Sequence, residues 1–438
     1  MKKLLIALAV LLVIILGSPA VIGSVAEDAV QDNLGWVAGQ AGEGEVDVTV
    51  ESYEKGWFSS TIRYRLGVSD GQLQAALLDL TELLESDALP ALVIETKLDH
   101  GVLPLSTLKP GLGSAFSTIT LDTRDNEYTL PGTVVSQIGF GGQVDSVYAL
   151  EAGTADIGES RIDWAAGLVE VSASPSSGRV IVNIDSDGLV VTEIDGNDSE
   201  MTVGKITISA DQEPSAAGFY IGTTDFRFES IEAQEAGVDL FSFGPLDFSG
   251  TSVARDELMD VDLSMSMDFA EAPMVGDVKF VMQLAMNGFD GVALESLSET
   301  LSAVDDSLPP DAMYMMVEDD LMTIFETGFV VDMSELDVDM DLGRSDNSLS
   351  ITVPPMEPGF TWPAVLQAMT ADANVSVPAT LMDMAIAMNP QVNAAIASGI
   401  LQRNGDNYEM AAQYEKGLVT VNGAPFPLPF ALPADPGS

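Results

Sequence analysis

The chain has 438 residues, 46% of them hydrophobic, with no cysteine and one histidine. Its 68 Asp and Glu against 17 Lys and Arg give a formal net charge of −51, which excludes nucleic acid as a partner because that requires a basic footprint. The missing cysteines exclude disulfides, thiolate metal sites, cysteine nucleophiles and lipidated Cys, and the lone His100 excludes multi-histidine metal centres.

The apolar fraction is that of an ordinary globular protein, so the acidity does not signal disorder. Self-repulsion of such a surface is relieved by salt, which shortens the Debye length from ~8 Å at physiological strength to ~3 Å at 1 M. The acidity is therefore read as adaptation to a salty environment, with a calcium-binding or cation-binding surface as the alternative.

In chain order, Lys2 and Lys3 precede an uncharged stretch, Leu4–Ala26, followed by Glu27 and Asp28. As a helix it would span about 34 Å at a rise of ~1.5 Å per residue, enough for a hydrocarbon core of ~30 Å. Residues 1–3 are then a cytoplasmic tip, 4–26 an anchor in a bacterial inner membrane, and the body is exported to the periplasm. A cleaved signal peptide is the rival, with Ser24-Val25-Ala26 as its cleavage site. Val30, Leu34 and Val37 recur at helical spacing, so 27–45 reads as a stalk helix, which favours the anchor.

From residue 46 the pattern is two-residue alternation, the mark of half-buried antiparallel strands. Val46, Val48 and Val50 alternate with polar neighbours. Val261, Leu263, Met265, Met267 and Phe269 share one face, and Leu336, Val338, Met340 and Leu342 another. Further strands are expected over 117–122, 169–174, 180–185, 189–194, 205–211, 224–229 and 277–285. Turns are expected at Asp187-Gly188, Asp195-Gly196-Asn197, Gly204 and Gly244-Pro245. Helices are expected late, near 310–325 and 378–401, the second broken at Pro390. Residues 408–423 read as a closing hairpin before a proline-rich tail. The predicted fold is mainly β: a large curved antiparallel sheet over 46–438, with a few late helices, behind an N-terminal transmembrane helix.

Three blocks stand in order along the chain: Tyr53-Glu54-Lys55-Gly56-Trp57-Phe58-Ser59-Ser60, then Asp99-His100-Gly101-Val102-Leu103-Pro104, then Tyr414-Glu415-Lys416-Gly417 with Thr420-Val421-Asn422-Gly423. With Val377-Pro378 opening a helix, they resemble the YdgA-like family, a bacterial family of unknown function with an N-terminal membrane segment. The family has Pro after His-Gly, where Val102 stands here. The resemblance implies an inner-membrane anchor and a periplasmic body, and supplies no catalytic residues.

His100 next to Asp99 could act as a general base, but adjacent strand residues point to opposite faces, so a structural histidine is the preferred reading. Asp337, Asp339 and Asp341 lack the glycine and glutamate of a calcium loop and read as a solvated strand face. Asp185-Ser186-Asp187-Gly188 reads as a turn. No cofactor and no metal is expected, and the protein is read as non-enzymatic.

The methionine-rich apolar faces suggest instead a groove, lined by residues such as Leu263, Met265 and Met267, that shelters lipid. Anchored curved sheets of this kind resemble envelope lipid-handling proteins of the AsmA-like type, an architectural likeness only. The alternatives are an envelope scaffold that binds a protein through a sheet edge, and a hydrolase using His100. Ligand identity and oligomeric state are not readable from sequence.

If the charge is a salt adaptation, residues 27–438 gain thermal stability between low salt and about 1 M salt, with sodium and potassium chlorides acting alike. A melting temperature that stays flat or falls across that range removes the reading, and a large response to micromolar calcium revives the metal alternative.

Overall fold

The computed structural model describes residues 46–56, 59–68, 91–100, 106–107, 109–122, 127–157, 160–193, 199–272, 276–303, 310–388 and 392–426. The segments read as anchor and stalk, 4–45, and the Asp195-Gly196-Asn197 turn lie outside them. Among the described residues no helix is long and apolar enough to cross a membrane. The chain is mainly strand, and every described strand pairing is antiparallel. It divides into two compact units, Met1–Glu213 with Ile231–Leu240, and Pro214–Ser230 with Phe241–Ser438.

In the first unit the spatial order is Val46–Lys55, Ser59–Val68, Ala91–His100, Gly113–Asp122, Thr133–Ile138, Val144–Leu150, Gly167–Ser174, Arg179–Ser186 and Ile206–Pro214. A second ladder runs Gly153–Ile157, Ser160–Trp164, Leu189–Glu193, Ser199–Val203 and Ile231–Glu235. The chain passes from one ladder to the other through two-residue breaks at 151–152, 165–166, 187–188 and 204–205. These breaks line up as a crease across long strands.

Two expected turns are thereby corrected. Asp187-Gly188 and Gly204 interrupt a strand that continues onward, and the reversals lie elsewhere. At the crease the Ala165 amide donates to the Gly188 carbonyl at 2.9 Å. Gly188 has φ +97, and a Cβ there would stand 2.1 Å from the Val203 carbonyl oxygen. Asp185 and Asp187 both hold the Lys205 ammonium, at 2.8 and 3.3 Å, so this acidic group is an ion-paired part of the crease. Gly244-Pro245 likewise lies within the strand Val238–Arg255, at a bulge between Phe243 and Leu246.

The core of the first unit is the alternating set Ile62, Tyr64, Leu66, Ile94, Leu98, Ala115, Val134 and Ile138, continued by Val144, Val171 and Val182. Hydroxyls share this buried face and satisfy one another: Thr96 with Ser117 at 2.7 Å, and Ser146 donating to Ser136 at 2.8 Å.

In the second unit the strands follow chain order: Tyr220–Phe228, Val238–Arg255 (from Phe241 on), Leu258–Ala272, Gly276–Asp290, Phe329–Met340, Gly343–Val353, Thr370–Pro378, Asn407–Glu415, Leu418–Val421 and Ala424–Phe426. The closing hairpin is as expected and gains a third short strand, Ala424–Phe426. The expected helices run Pro310–Thr327, then Ala379–Met388 and Val392–Ala397 on either side of Pro390. Sequence reading missed Gly291–Ala303 and Trp362–Ala368.

Gly291–Ala303 starts where the Asp290 carboxylate accepts from the Ala293 amide at 2.9 Å, an N-cap. It packs with Pro310–Thr327 over Phe289 and Ile324, where Phe289 stacks on Phe329 at 4.6 Å. Ala379–Met388 and Val392–Ala397 cover Val377 and Tyr408.

Gly188→Ala should lower the urea midpoint by the equivalent of about 3 kcal/mol, since it adds a backbone collision to an unfavourable φ. Gly405→Ala, at φ +64 with nothing within 4 Å, should cost only about 1 kcal/mol. Equal losses would show that the crease is not sterically defined.

Candidate functional site

The strands of the second unit have two unlike faces. On one, cross-strand rows read Phe226–Phe248–Met265–Met282–Leu336 and Phe228–Leu246–Met267–Phe280–Val338. The next row reads Thr224–Gly250–Leu263–Leu284–Met333. Apart from buried Phe228, every residue in these rows is half-buried. The three groove residues named from sequence, Leu263, Met265 and Met267, sit at the middle of this face. Neither described core cluster of the unit contains them.

One end of the face meets the helix pair at Phe289 and Phe329. At the other, Phe243 lies 6.2 Å from Phe228 and 6.0 Å from Phe269. From Val278 to Met286 the apolar run is about 27 Å long at ~3.4 Å per residue. It carries no charged side chain.

Gly250 stands in the third of these rows without needing to be glycine for its backbone. An added Cβ would meet the end of the flexible Leu263 side chain at 3.2 Å and the edge of the Phe248 ring at 3.7 Å. A strand-interior glycine weakens a sheet, and it commonly marks where a ligand or another backbone comes close. The strand carrying it was not anticipated. Leu246, Phe248 and Gly250 do alternate with Asp247, Ser249 and Thr251, the signal that could have found it.

The opposite face is polar and acidic, and a double bulge opens a cavity in it. Gln283 pairs with Glu335 and Leu284 with Met333, which leaves Ser334 as an extra residue. Towards the next strand, Met333 pairs with Leu349 and Val338 with Ser345, so four residues oppose three. The cavity, about 640 Å³, is lined among others by Gln283, Glu335, Asp337, Asp346, Ser348, Asn374, Glu409 and Asn422.

Asp337 is 7% exposed. This corrects the reading of Asp337, Asp339 and Asp341 as a uniformly solvated face, because the bulge turns Asp337 inward. Arg344 donates to Asp337 and, at 2.6 Å, to Asp346. The two carboxylates, Asp346 first, raise the guanidinium pKa above its ordinary value. Gln283 donates to Glu335 at 2.8 Å, and Asn347 to the Leu336 carbonyl at 2.8 Å. The cavity therefore presents satisfied hydrogen-bonding groups rather than a poised acid-base pair. Among the described residues no group of three or more His, Asp or Glu could hold a metal.

The motif residues separate into turns and pins. Gly56 closes the hairpin between Val46–Lys55 and Ser59–Val68. Its amide donates to the Ser59 carbonyl at 2.8 Å, and a Cβ would lie 2.5 Å from that oxygen. Tyr53 and Ser60 meet through their hydroxyls at 3.4 Å. Asp99 pairs in register with Ser59 and Ser114, and His100 with Gly113. The His100 side chain, Gly101, Pro104 and Phe58 lie outside the described residues.

Pro378 is buried and opens Ala379–Met388. The Tyr414 hydroxyl donates to the Leu366 carbonyl and so ties helix Trp362–Ala368 to the sheet. Lys416-Gly417 and Asn422-Gly423 have φ +52, +76, +51 and +77, the left-handed pairs of type I′ hairpin turns. Asn422 does more: Oδ1 accepts from the Ala411 amide at 2.9 Å, and Nδ2 donates to the Gly399 and Ile400 carbonyls at 2.9 and 3.1 Å.

The chain belongs to the family described as "Bacterial protein of unknown function (DUF945)", whose model matches residues 1–429. No curated protein matches it, and no solved structure does.

Since Asn422 both lines the cavity and holds a turn, its role is separable by stability. Asn422→Ala should lower the unfolding free energy by about 3 kcal/mol, and Asn422→Asp, which keeps the acceptor, by about half as much. Unchanged denaturation midpoints in both variants would assign the residue to the cavity instead.

Proposed function

We propose that this member of a bacterial family of unknown function is a non-enzymatic, membrane-anchored envelope protein that shelters an acyl chain in the apolar trough around Met265. Residues 4–26 are the anchor in this reading, with Lys2 and Lys3 on the cytoplasmic side and the body in the periplasm. The order of the three motif blocks supports the narrower YdgA-like assignment. The acidic body fits a high-salt environment.

One observation carries the reading: an apolar face about 27 Å long, at ~3.4 Å per residue, whose side chains stay half-exposed. Burying an acyl chain against such a face is favourable at ~25 cal/mol per Å² without any specific polar contact. Exposed apolar area beyond a few hundred Å² ordinarily marks a binding surface. The methionines Met265, Met267, Met282 and Met333 provide a lining that adapts to chains of different length.

The scaffold alternative has less support. Among the described residues Val46–Lys55 pairs on one side only, but a bulge at Glu51 disrupts it. Glu51 is held by Arg65 at 2.6 Å and Arg63 at 2.8 Å, which together lower its pKa. The edge at Ala424–Phe426 is three residues long and contains Pro425. Both are ways in which sheets discourage pairing with another chain.

Full-length protein taken from carbonate-washed membranes into detergent should carry co-purifying lipid detectable by native mass spectrometry. Met265→Asp should place a charge in the trough and lower recovery several-fold while the protein still folds. Gly250→Val should lower recovery too, with equal or higher stability, because valine suits a strand better than glycine. If Met265→Asp unfolds the protein and Gly250→Val overpacks it, the face is a closed core and the proposal fails.

A further inference from the structure

We infer that the trough selects lipids without net negative charge; this rests on the trough reading above and goes beyond it to the class of headgroup. The basic residues of the unit built from Pro214–Ser230 and Phe241–Ser438 are Arg227, Arg255, Lys279, Arg344, Arg403 and Lys416. None stands in the apolar rows. Arg227 falls between Phe226 and Phe228, and Lys279 between Val278 and Phe280, so strand alternation sends both to the opposite face.

Each of the six is also engaged. Arg227 lies 3.3 Å from Asp247, Lys279 4.0 Å from Asp268, and Lys416 2.7 Å from Glu415. Arg255 donates to both Asp260 oxygens, at 2.5 and 2.6 Å. Arg344 holds Asp337 and Asp346, and Arg403 sits over the Tyr408 ring at 5.9 Å. A phosphate or carboxylate headgroup at the trough would meet none of this unit's cations in the apolar rows to replace its hydration.

The ends of the trough add negative charge. At one, the hairpin from Phe329–Met340 to Gly343–Val353 turns through Asp341, whose carboxylate lies 2.1 Å from the position a Cβ on Gly276 would take. At the other, the hairpin between Val238–Arg255 and Leu258–Ala272 turns through exposed Asp256 and Glu257. With a chain net charge of −51, an anionic headgroup is repelled over ~8 Å at physiological ionic strength and only ~3 Å at 1 M. A zwitterionic or uncharged headgroup incurs no such cost, and the apolar rows act on its acyl chains alone.

The test uses delipidated full-length protein immobilised in a non-ionic detergent. It is offered dioleoyl phosphatidylethanolamine or dioleoyl phosphatidylglycerol, which share acyl chains and differ in net charge. Retained lipid is measured by mass spectrometry, and retention by Gly250→Val is subtracted to remove lipid held by the anchor. Phosphatidylethanolamine should exceed phosphatidylglycerol about tenfold at ~50 mM salt, and about twofold at ~1 M salt. Equal retention at low salt, or a preference for phosphatidylglycerol, overturns the charge selection and leaves the trough standing. If Gly250→Val retains as much of both lipids as wild type, the trough reading itself falls.

Discussion

A sheet that alternates apolar and polar residues along every strand must put one face against something other than water. That constraint organises both units. In the first, Tyr64, Ile94, Leu98 and Ala115 have no exposure at all, and the Ser and Thr hydroxyls on the same face pair with each other. In the second, the described helices cover Phe289 with Phe329 and Val377 with Tyr408, and the rows through Leu263, Met265 and Met267 stay half-exposed apart from Phe228. In the proposed reading, an acyl chain completes the burial of those rows.

The same alternation sorts the charge. Because every second residue faces away from the apolar rows, acids and bases collect on the other face, where cross-strand neighbours pair them. Arg227 with Asp247, Lys279 with Asp268 and Arg344 with Asp337 are all pairs of this kind. Most such pairs are exposed and individually weak. Their consequence is one of distribution: the few cations are absorbed by local partners, and the acidic excess defines the field around the apolar face. The same pairing holds in the first unit, where Asp211 takes Arg179 and has its pKa lowered by it.

Much of this was legible in the sequence, for identifiable reasons. Strands with clean alternation, such as Leu258–Ala272, were found because their side chains decide their conformation. So were the helix broken at Pro390 and the closing hairpin with Asn422-Gly423, where φ > 0 is chemically encoded. Helix Gly291–Ala303 was missed because it begins at Gly291, a residue set by contact rather than propensity: a Cβ there would stand 2.3 Å from the Phe219 ring. Asp187-Gly188 was read as a reversal because a glycine with φ > 0 suits a turn and a crease equally well. The difference lies in whether the next strand pairs backward or runs on, and that is a long-range fact. The burial of Asp337 was missed for a similar reason, since it depends on register against two neighbours.

That register was nevertheless written in the spacing of the apolar residues. Along Phe329–Met340, from Val331 on, they fall at Val331 and Met333, then Leu336, Val338 and Met340: one step of three among steps of two. The observed bulge lies in that step. Along Gly276–Asp290 the sequence Phe280, Met282, Leu284, Met286 steps to Phe289, and the register shifts there, with Gly288 at φ +79 and its amide donating to Asp260. Along Val238–Arg255 the step from Phe243 to Leu246 coincides with Gly244 at φ +118. A one-residue slip would send every later side chain to the wrong face, and an inserted residue restores the face at the cost of a local kink. Each bulge thus keeps an apolar row continuous across a strand too long to stay in register by itself. At Ser334 to Asp337 the same device opens the polar cavity on the reverse side, so the cavity is a geometrical consequence of keeping the apolar rows unbroken.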